Sequence, residues 1–193
     1  MLVKIHGYIA SDGRIDKKKS KDIHRNKLRI RFRLRTRFYN KEKTLINDFV
    51  NTAKLLYPEI KGINYYEKRL EVEIQSQRIC QDILNLGKVG TYDWEVPQDM
   101  NNRQKRIWIK AFADGEGTVY NKNYNRYIAL DSMNLKGLEK ISEILKKFKI
   151  KNSIYTINYK SITSYRLRIY RKENLIKFNK LIGFKHPIKQ KKL

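Results

Sequence analysis

Two segments of the chain end in an acidic residue followed by glycine, IHGYIASDG near the N-terminus and IKAFADGEG in the middle. Each segment is predicted to form a short apolar helix. The first helix would end in Asp12 and the second in Glu116. The next residues, Gly13 and Gly117, are predicted to terminate the helices in the left-handed conformation that glycine adopts readily. The chain thus places two carboxylates at two helix ends.

Small residues stand one turn apart in both predicted helices, Gly7 with Ser11 and Ala111 with Gly115. Residues four apart share a helix face. Such pairs would let the two helices approach more closely than the roughly 8–10 Å that separates helices with larger contact residues. If the helices pack side by side in parallel, their two terminal acids meet.

Two carboxylates that converge at the C-terminal ends of two helices are unfavourable, because they repel each other and the helix dipoles. A cation between them would remove both unfavourable effects. Oxygen ligands without His or Cys nearby favour Mg²⁺, for which Mn²⁺ can substitute, with the carbonyls of Ser11 and Gly115 as further ligands. A divalent ion beside a basic surface predicts metal-assisted phosphodiester hydrolysis, in which the metal activates water and stabilises the leaving oxygen.

A row of arginines in RIRFRLRTR, residues 29–37, indicates where the anionic substrate binds. The strict alternation predicts a half-buried strand whose apolar face packs on helices. The other face would carry five arginines about 6.6–7 Å apart, and their forked donors suit phosphates and guanine edges. A solvated cationic edge strand is the alternative. The arginines are Arg29, Arg31, Arg33, Arg35 and Arg37.

Further DNA-binding candidates lie on other predicted strands. The segment RLEVEIQ has a mixed face of Arg69, Glu71, Glu73 and Gln75. This face is equally consistent with recognition of base edges, since glutamate accepts from the cytosine amino group, and with a salt-bridged solvent face. The segment YRLRIY has a more basic face of Arg166, Arg168 and Tyr170. The set is completed by Lys122 and Arg126.

The composition favours a polyanionic partner. The 193 residues include 44 Lys and Arg against 19 Asp and Glu, a formal net charge of +25. Nucleic acid is therefore expected ahead of a membrane surface. No run approaches the roughly 20 apolar residues of a spanning helix, and the N-terminus is too short in apolar residues for a secretory signal. The single cysteine, Cys80, excludes an internal disulfide, so we expect an intracellular protein, with organelle or cytoplasm left open.

The chain repeats its pattern of predicted elements. Each acidic helix is followed by the order two strands, helix, two strands, helix. The predicted halves are residues 1–86 and 103–193, and the segment 87–102, rich in Gly, Asp and Asn, is predicted to be a linker. The fold class is therefore α+β, with two αββαββα halves in a pseudo-twofold monomer.

At this point the sequence resembles the single-chain LAGLIDADG homing endonucleases, with the nine-residue motif on Ile5–Gly13 and again on Ile109–Gly117. The resemblance implies that the motif helices pack at the centre and that the antiparallel sheets form a DNA-binding saddle. Asp12 and Glu116 would bind the catalytic metals. The implied activity is intron homing: cleavage of both strands of a long, asymmetric, sequence-specific site across the minor groove, leaving short 3′ overhangs.

The motifs depart from the family pattern at several positions. His6 and Lys110 replace a small residue, and Ala10 stands where an acid is usual. The tail segment HPIKQ resembles the part of the family that supplies a basic residue to the active site, which makes Lys189 a catalytic candidate. The analogous segment of the first half, VPQDM, has no lysine. Two residues near the ends of predicted strands, Asn40 and Ser132, are candidates for positioning water.

Two other functions remain open for this scaffold. An RNA maturase would bind intron RNA and assist splicing, and a non-catalytic regulator would bind DNA without needing either acid. An enzyme acting on small molecules is disfavoured, because the chain shows neither a phosphate-binding glycine loop nor a nucleophile–base arrangement. Cleavage of cognate DNA that depends on Asp12 separates the nuclease from both alternatives.

Overall fold

The computed structural model describes the backbone of residues 1–24, 27–122 and 125–193, and the side chains of 1–19, 33–122 and 125–193. The helices are α1 (Leu2–Asp12), α2 (Lys43–Leu56), α3 (Gln77–Leu86), α4 (Asn102–Glu116), α5 (Leu135–Lys147), α6 (Lys172–Leu181) and α7 (Pro187–Lys192). The strands are β1 (Gly13–His24), β2 (Lys27–Tyr39), β3 (Ile63–Tyr66), β4 (Glu71–Ile74), β5 (Gly117–Lys122), β6 (Asn125–Ser132), β7 (Ser153–Tyr159) and β8 (Ile162–Tyr170).

The strands form two antiparallel sheets with the same order. The first sheet runs β1-β2-β4-β3 and the second runs β5-β6-β8-β7. Each sheet follows one motif helix, and each half continues with a helix, two strands and a helix. This repeat confirms the predicted α+β fold of two αββαββα units, to which the chain adds α7.

Local sequence signals explain where several helices begin. Asn101 and Gln104 form a reciprocal capping box at the start of α4. The side chain of Ser76 accepts a hydrogen bond from the backbone at the start of α3, and Asn134 does the same for α5. These caps fix the helix starts by satisfying backbone donors that the helix itself leaves unpaired.

Each half has its own hydrophobic core between its sheet and its helices, and α1 contributes to both. Ile5, Tyr8 and Ile9 lie in the first core, whereas Val3 and Ala10 lie in the second. Because α1 is apolar on most of its circumference, it can be buried between the two halves. None of the described helices is long and apolar enough to cross a membrane.

A buried histidine joins α1, α4 and the segment between the halves. Trp108 Nε1 donates to His6 Nδ1 at 3.0 Å, and His6 Nε2 lies 3.2 Å from the carbonyl oxygen of Gly87. The ring is therefore neutral with its proton on Nε2, and burial lowers the pKa of His6 to about 4. The departure from the motif at this position is thus a structural contact.

The segment predicted to be the linker also packs into the second core. Trp94 is buried, with its ring centroid 4.6 Å from that of Phe112. A Cβ built on Gly137 would lie 2.5 Å from Trp94 Cζ3, so α5 needs glycine at this contact. The segment therefore contributes to packing, while the exact domain boundaries stay a prediction. Cys80 is buried 3.2 Å from Thr36 Oγ1, as a small core residue.

Candidate active site at the ends of the two motif helices

The two motif helices, α1 and α4, approach each other at their small residues. A Cβ built on Gly7 would lie 2.8 Å from the carbonyl oxygen of Trp108 and 3.0 Å from Ala111 Cβ. A Cβ built on Gly115 would lie 2.6 Å from Ser11 Cβ. Larger side chains at either glycine would force the helices apart, so the small pairs determine how closely the helix ends meet.

The prediction of left-handed glycines after the helices is wrong. Gly13 has φ −134° and Gly117 has φ −74°, and both are extended because they are the first residues of strands. They are required for space instead. A Cβ on Gly13 would lie 2.7 Å from the carbonyl oxygen of Arg37 and from Ile9 Cα. A Cβ on Gly117 would collide with the carbonyl oxygen of Ala113.

The structure places Asp12 and Glu116 at the neighbouring C-terminal ends of α1 and α4. Burial and the negative charges of Asp12 and Asp131 raise the pKa of Glu116 to about 8, against the opposing effect of Lys189. Burial also raises the pKa of Asp12, although Lys189 and a hydrogen bond from Asn40 oppose the rise. Asn40 Nδ2 donates to Asp12 Oδ2 at 2.9 Å. The two acids therefore form a crowded pair that a cation would stabilise.

The tail lysine lies at the end of the second motif helix. Lys189, on α7, directs its Nζ at the carbonyl oxygens of Ala113, Asp114 and Gly115, at 3.3 Å from the first and 2.9 Å from the last. An ammonium group at a helix C-terminus is favourable because it meets the negative end of the dipole. Burial lowers the pKa of Lys189, and the neighbouring carboxylates oppose this shift. Lys189 is therefore placed beside the acids that the sequence associated with it.

Asp114 fixes the tail in this position, a role that the sequence analysis missed. Its Oδ1 accepts from the backbone N–H groups of Lys185 at 2.8 Å and His186 at 2.9 Å. Asp114 is 1% exposed, and burial raises its pKa to about 6. The available signal was the sixth motif position, which holds Asp114 in the second copy and Ala10 in the first.

Each terminal acid lines its own cleft. The Asp12 cleft is lined by Asp12, Tyr39, Asn40, Lys41, Arg69, Leu70, Asp114, Gly115, His186 and Lys189. The Glu116 cleft is lined by Ala10, Ser11, Gly13, Gly90, Thr91, Trp94, Glu116, Asp131, Ser132, Met133 and Ser164. Ser132 Oγ accepts from Trp94 Nε1 at 3.0 Å and from the backbone of Asn134. Asn40 and Ser132 thus occupy corresponding clefts. Asn40 is hydrogen-bonded to the Asp12 carboxylate, and Ser132 is hydrogen-bonded to the indole of Trp94.

The arginine row on β2 has acidic partners from neighbouring strands. Arg35 binds Asp16 and also donates to Glu73 Oε2 at 2.8 Å. Arg37 is 8% exposed, and its Nε lies 3.4 Å from Glu71 Oε1 and 3.5 Å from Glu73 Oε2. Arg35 and Arg37 are therefore neutralised in part within the sheet, because it brings carboxylates beside them, and their contact with DNA stays a prediction.

The remaining arginines of the row differ in what the structure describes. Arg33 is exposed on β2, whereas Arg29 and Arg31 lie outside the described side chains. Glu71 and Glu73 are 4% and 1% exposed. Their burial beneath arginines argues against contact of either carboxylate with bases, and it favours the ion-paired alternative for the mixed face.

Strand β4 covers only Glu71–Ile74, so Arg69 and Gln75 flank the strand rather than lie within it. Arg69 lies in the 3₁₀ turn Glu67–Arg69, exposed, with its guanidinium 5.8 Å from the Tyr66 ring centroid. Gln75 follows the strand, and its amide donates to Glu73 Oε1 at 2.6 Å. Arg69 is thereby placed in the wall of the Asp12 cleft.

The DNA-binding candidates of the second sheet divide between its two faces. The outer face, which lies opposite the helices, carries Lys122, Arg166, Arg168 and Tyr170. Arg126 is two residues from the buried Ile128 on β6, so its side chain lies on the same face of the sheet as Ile128, the face that packs on the helices. Its Nε donates to Asn121 Oδ1 at 3.0 Å, and Arg126 does not lie on the outer face with the other candidates.

Comparison with known proteins agrees with this architecture. Residues 103–183 match a family model described as a LAGLIDADG-like domain. The homing endonuclease I-ApeI of Aeropyrum pernix is 29% identical over 103 residues, 52% of this chain and 46% of that protein. The chain thus spans about half the length of this curated relative.

Solved structures of the homing endonuclease I-DmoI share the fold. Mesophilic variants superpose with a TM-score of 0.69 at 21% identity, covering 94% of this chain and 89% of the other. A complex of I-DmoI with DNA and Ca gives a TM-score of 0.67 at 20% identity, covering 94% and 87%. A complex with DNA and Mn gives the same score and identity, covering 94% and 97%. Residues 103–183 thus match the LAGLIDADG-like family model, and the chain shares the two-sheet fold of the I-DmoI structures over 94% of its length.

Proposed function

We propose that the protein is a site-specific double-strand DNA endonuclease that uses Mg²⁺ held between Asp12 and Glu116. Its products would carry 3′ overhangs, and its target would be a long asymmetric site bound by the monomer. The observation that carries this proposal is the pair of crowded carboxylates at the abutting ends of α1 and α4. The homing-endonuclease name of I-ApeI and the DNA and metal in the I-DmoI complexes support the same activity.

The residues at the helix ends fit a hard divalent cation. The available donors are the carboxylates of Asp12 and Glu116 with the carbonyls of Ser11 and Gly115, which are all oxygens. Within the described residues, no group of three or more His, Cys, Asp or Glu side chains could hold a metal. Carbonyls and phosphate oxygens would therefore complete the coordination. The carbonyl of Gly115 accepts from Lys189, and a carbonyl oxygen has a second lone pair for another partner.

Several side chains would act on the substrate around this centre. A bound divalent cation supplies Lewis-acid activation of water and stabilisation of the leaving oxygen. Asn40 orients the Asp12 carboxylate through its 2.9 Å hydrogen bond. Lys189 brings a positive charge beside the acids, where it would offset the negative charge of the phosphate undergoing cleavage. The basic outer faces of the sheets would bind the duplex, largely through its phosphates.

Selection of cleaved sites from a randomised DNA library with Mg²⁺ tests the proposal. The wild type should enrich one long site with a constant overhang. Asp12→Asn and Glu116→Gln should bind that site without cutting it. The control is Glu143→Gln, which removes an exposed acid on α5 that contacts Lys140. Sequence-specific binding without scission in Mg²⁺ or Mn²⁺ would favour the regulator, and a requirement for the protein in intron splicing would favour the maturase.

A further inference from the structure

The outer face of β8 carries two arginines with different partners. Arg166 binds Asp131 through two hydrogen bonds, from Nε at 2.7 Å and from Nη2 at 2.9 Å. Arg168 stands opposite Ala129, two residues before Asp131 on β6. Both oxygens of Asp131 accept from Arg166, and Asp131 makes no ion pair with Arg168. Among the side chains that the structure describes, no acid forms an ion pair with Arg168.

Aromatic rings hold Arg168 instead. Its guanidinium carbon lies 4.0 Å from the ring centroid of Tyr127 and 5.5 Å from that of Tyr155. Tyr127 is itself stacked on Tyr120, with centroids 4.8 Å apart and planes inclined by 14°. The four side chains cross all four strands of the second sheet, from β5 to β7. We call this row the tyrosine–arginine stack.

The stack restricts the direction of the guanidinium. Tyrosine faces attract the cation, and contact with both rings limits the rotamers available to the long side chain. The small residue Ala129 lies directly across the strand pair and leaves room for the stacked rings. Arg168 Nε is buried and has no hydrogen-bond partner among the described residues. The other N–H donors of the Arg168 guanidinium group therefore have a restricted orientation, and no protein acceptor in the described part of the chain binds them.

A fixed guanidinium fork requires two acceptors side by side. Guanine O6 and N7 provide this pair in the major groove, and a phosphate provides it on the backbone. Arg168 lies on β8, an interior strand of the order β5-β6-β8-β7. The middle of a sheet placed in a groove faces base edges, whereas its margins face the phosphates. The position of the stack therefore favours guanine.

We propose that Arg168, aimed by Tyr127 and Tyr155, recognises one guanine of the DNA target and sets the base preference at that position. The inference rests on the DNA-binding function proposed above. A lysine cannot supply the planar fork, although it keeps the charge. Arg168→Lys should therefore lower the preference for guanine at one base pair by about 5- to 150-fold, the range of a good bidentate contact. Binding to sites altered elsewhere should follow the wild-type pattern.

Binding selection from a randomised duplex library, performed in Ca²⁺ so that binding is separated from cutting, tests this inference. The wild type, Arg168→Lys and Tyr127→Leu are compared, with thermal unfolding measured for each. Arg168→Lys should relax one G·C position. Tyr127→Leu should relax the same position, because it removes the closer ring. The matched control is Arg78→Lys, whose arginine also lies over a tyrosine ring, 5.4 Å from the Tyr57 centroid, but is on α3 rather than on a sheet face, so every base preference should be kept.

Three results would contradict the inference. Uniform weakening of all sites by Arg168→Lys would show a phosphate contact, and an unchanged profile would show no contact. Relaxation at a different position in folded Tyr127→Leu would show that the ring does not aim the arginine. A wild type that enriches no sequence would instead overturn the proposed function itself.

Discussion

The Asp12 cleft and the Glu116 cleft correspond in the repeated fold but differ in charge. The Asp12 cleft includes Lys41, Arg69 and Lys189 in its walls. The walls of the Glu116 cleft include a second acid, Asp131, and contain no Lys or Arg among the described residues. The repeat of the backbone therefore does not extend to the chemistry. A single chain allows this difference, because each half can change its side chains independently of the other.

The difference has an identifiable cause in the motif helices. Asp114 on α4 holds the backbone of Lys185 and His186, and this contact brings α7 and its lysine to the Asp12 cleft. The corresponding position on α1 is Ala10, which offers no acceptor. The first half ends instead in the segment that buries Trp94. The motif helix with Asp114 at this position holds a lysine at the Asp12 cleft. The motif helix with Ala10 holds no corresponding lysine at the Glu116 cleft within the described part of the chain.

Of the changes considered, Lys189→Met should have the largest effect on the difference between the two clefts in their rates of strand cleavage. Loss of the ammonium group should slow the cleavage assisted by the Asp12 cleft by about 10²–10³-fold, comparable to removal of one electrostatic donor from an active site. Cutting of the other strand should fall less, so nicked DNA should accumulate. Strand-specific labels on a duplex substrate measure both rates.

Lys191→Met is the matched control, because Lys191 lies on the same helix but is exposed. Its rates should stay near those of the wild type. Equal slowing of both strands by Lys189→Met would show that the lysine serves both clefts, and the functional contrast between them would be withdrawn.

Asp114→Ala should have the next largest effect, because it releases the tail that carries Lys189. We expect a loss of roughly 10–100-fold in the same strand, similar to loss of a group that orients a metal ligand. Hydrogen exchange at the amides of Lys185 and His186 should accelerate. Asp114→Asn keeps an acceptor oxygen and should restore both protection and activity. Slow exchange in Asp114→Ala would contradict the positioning role.

The raised pKa of Glu116 predicts a smaller, pH-dependent effect on stability. The folded protein holds the proton up to about pH 8, whereas the unfolded chain releases it near 4.5. Between these values the folded state binds more protons, so the free energy of unfolding should fall as pH rises when divalent cations are removed. We expect a change on the order of 2 kcal/mol, reduced by partial exposure. Denaturation in EDTA measures it.

Glu116→Gln provides the comparison for this measurement. It removes the titrating group, so the slope between pH 4.5 and 8 should become shallower. Saturating Mg²⁺ should also reduce the slope in the wild type, because a bound cation favours the carboxylate. The same slope in wild type and variant would assign the effect to another group.

The sequence predicted the features that depend on periodicity. The alternating residues 29–37 lie within the observed strand β2, Lys27–Tyr39. The small pairs on the motif helices also lie at the predicted contact. These features could be predicted because each one depends on the residue pattern of a single continuous segment.

Features that require two distant segments could not be predicted in this way. Arg35 lies opposite Asp16, and Arg37 lies opposite Glu73, through strand registers that the arginine row alone does not reveal. Likewise, the need for glycine at Gly13 comes from the carbonyl oxygen of Arg37, on the neighbouring strand. The role of Asp114 depends on the return of the tail about seventy residues later. Tertiary pairing determined all three.

The comparison can be sharpened by adding a cation to the Glu116 cleft, which should have the smallest effect. Ser164 lines this cleft on β8, and Ser164→Lys would place an ammonium group in its wall. We expect cutting of the slower strand to increase by about threefold to tenfold, equivalent to about 0.7–1.4 kcal/mol, because the charge is added without the helix-end contacts that fix Lys189. The added charge should also lower the pKa of Glu116 and flatten the stability slope in EDTA. Thr163→Lys, with its side chain on the opposite face, should change neither measurement. An unchanged ratio of strand rates together with a flattened slope would show that the charge reaches Glu116 without assisting cleavage, and that the two clefts differ by more than one lysine.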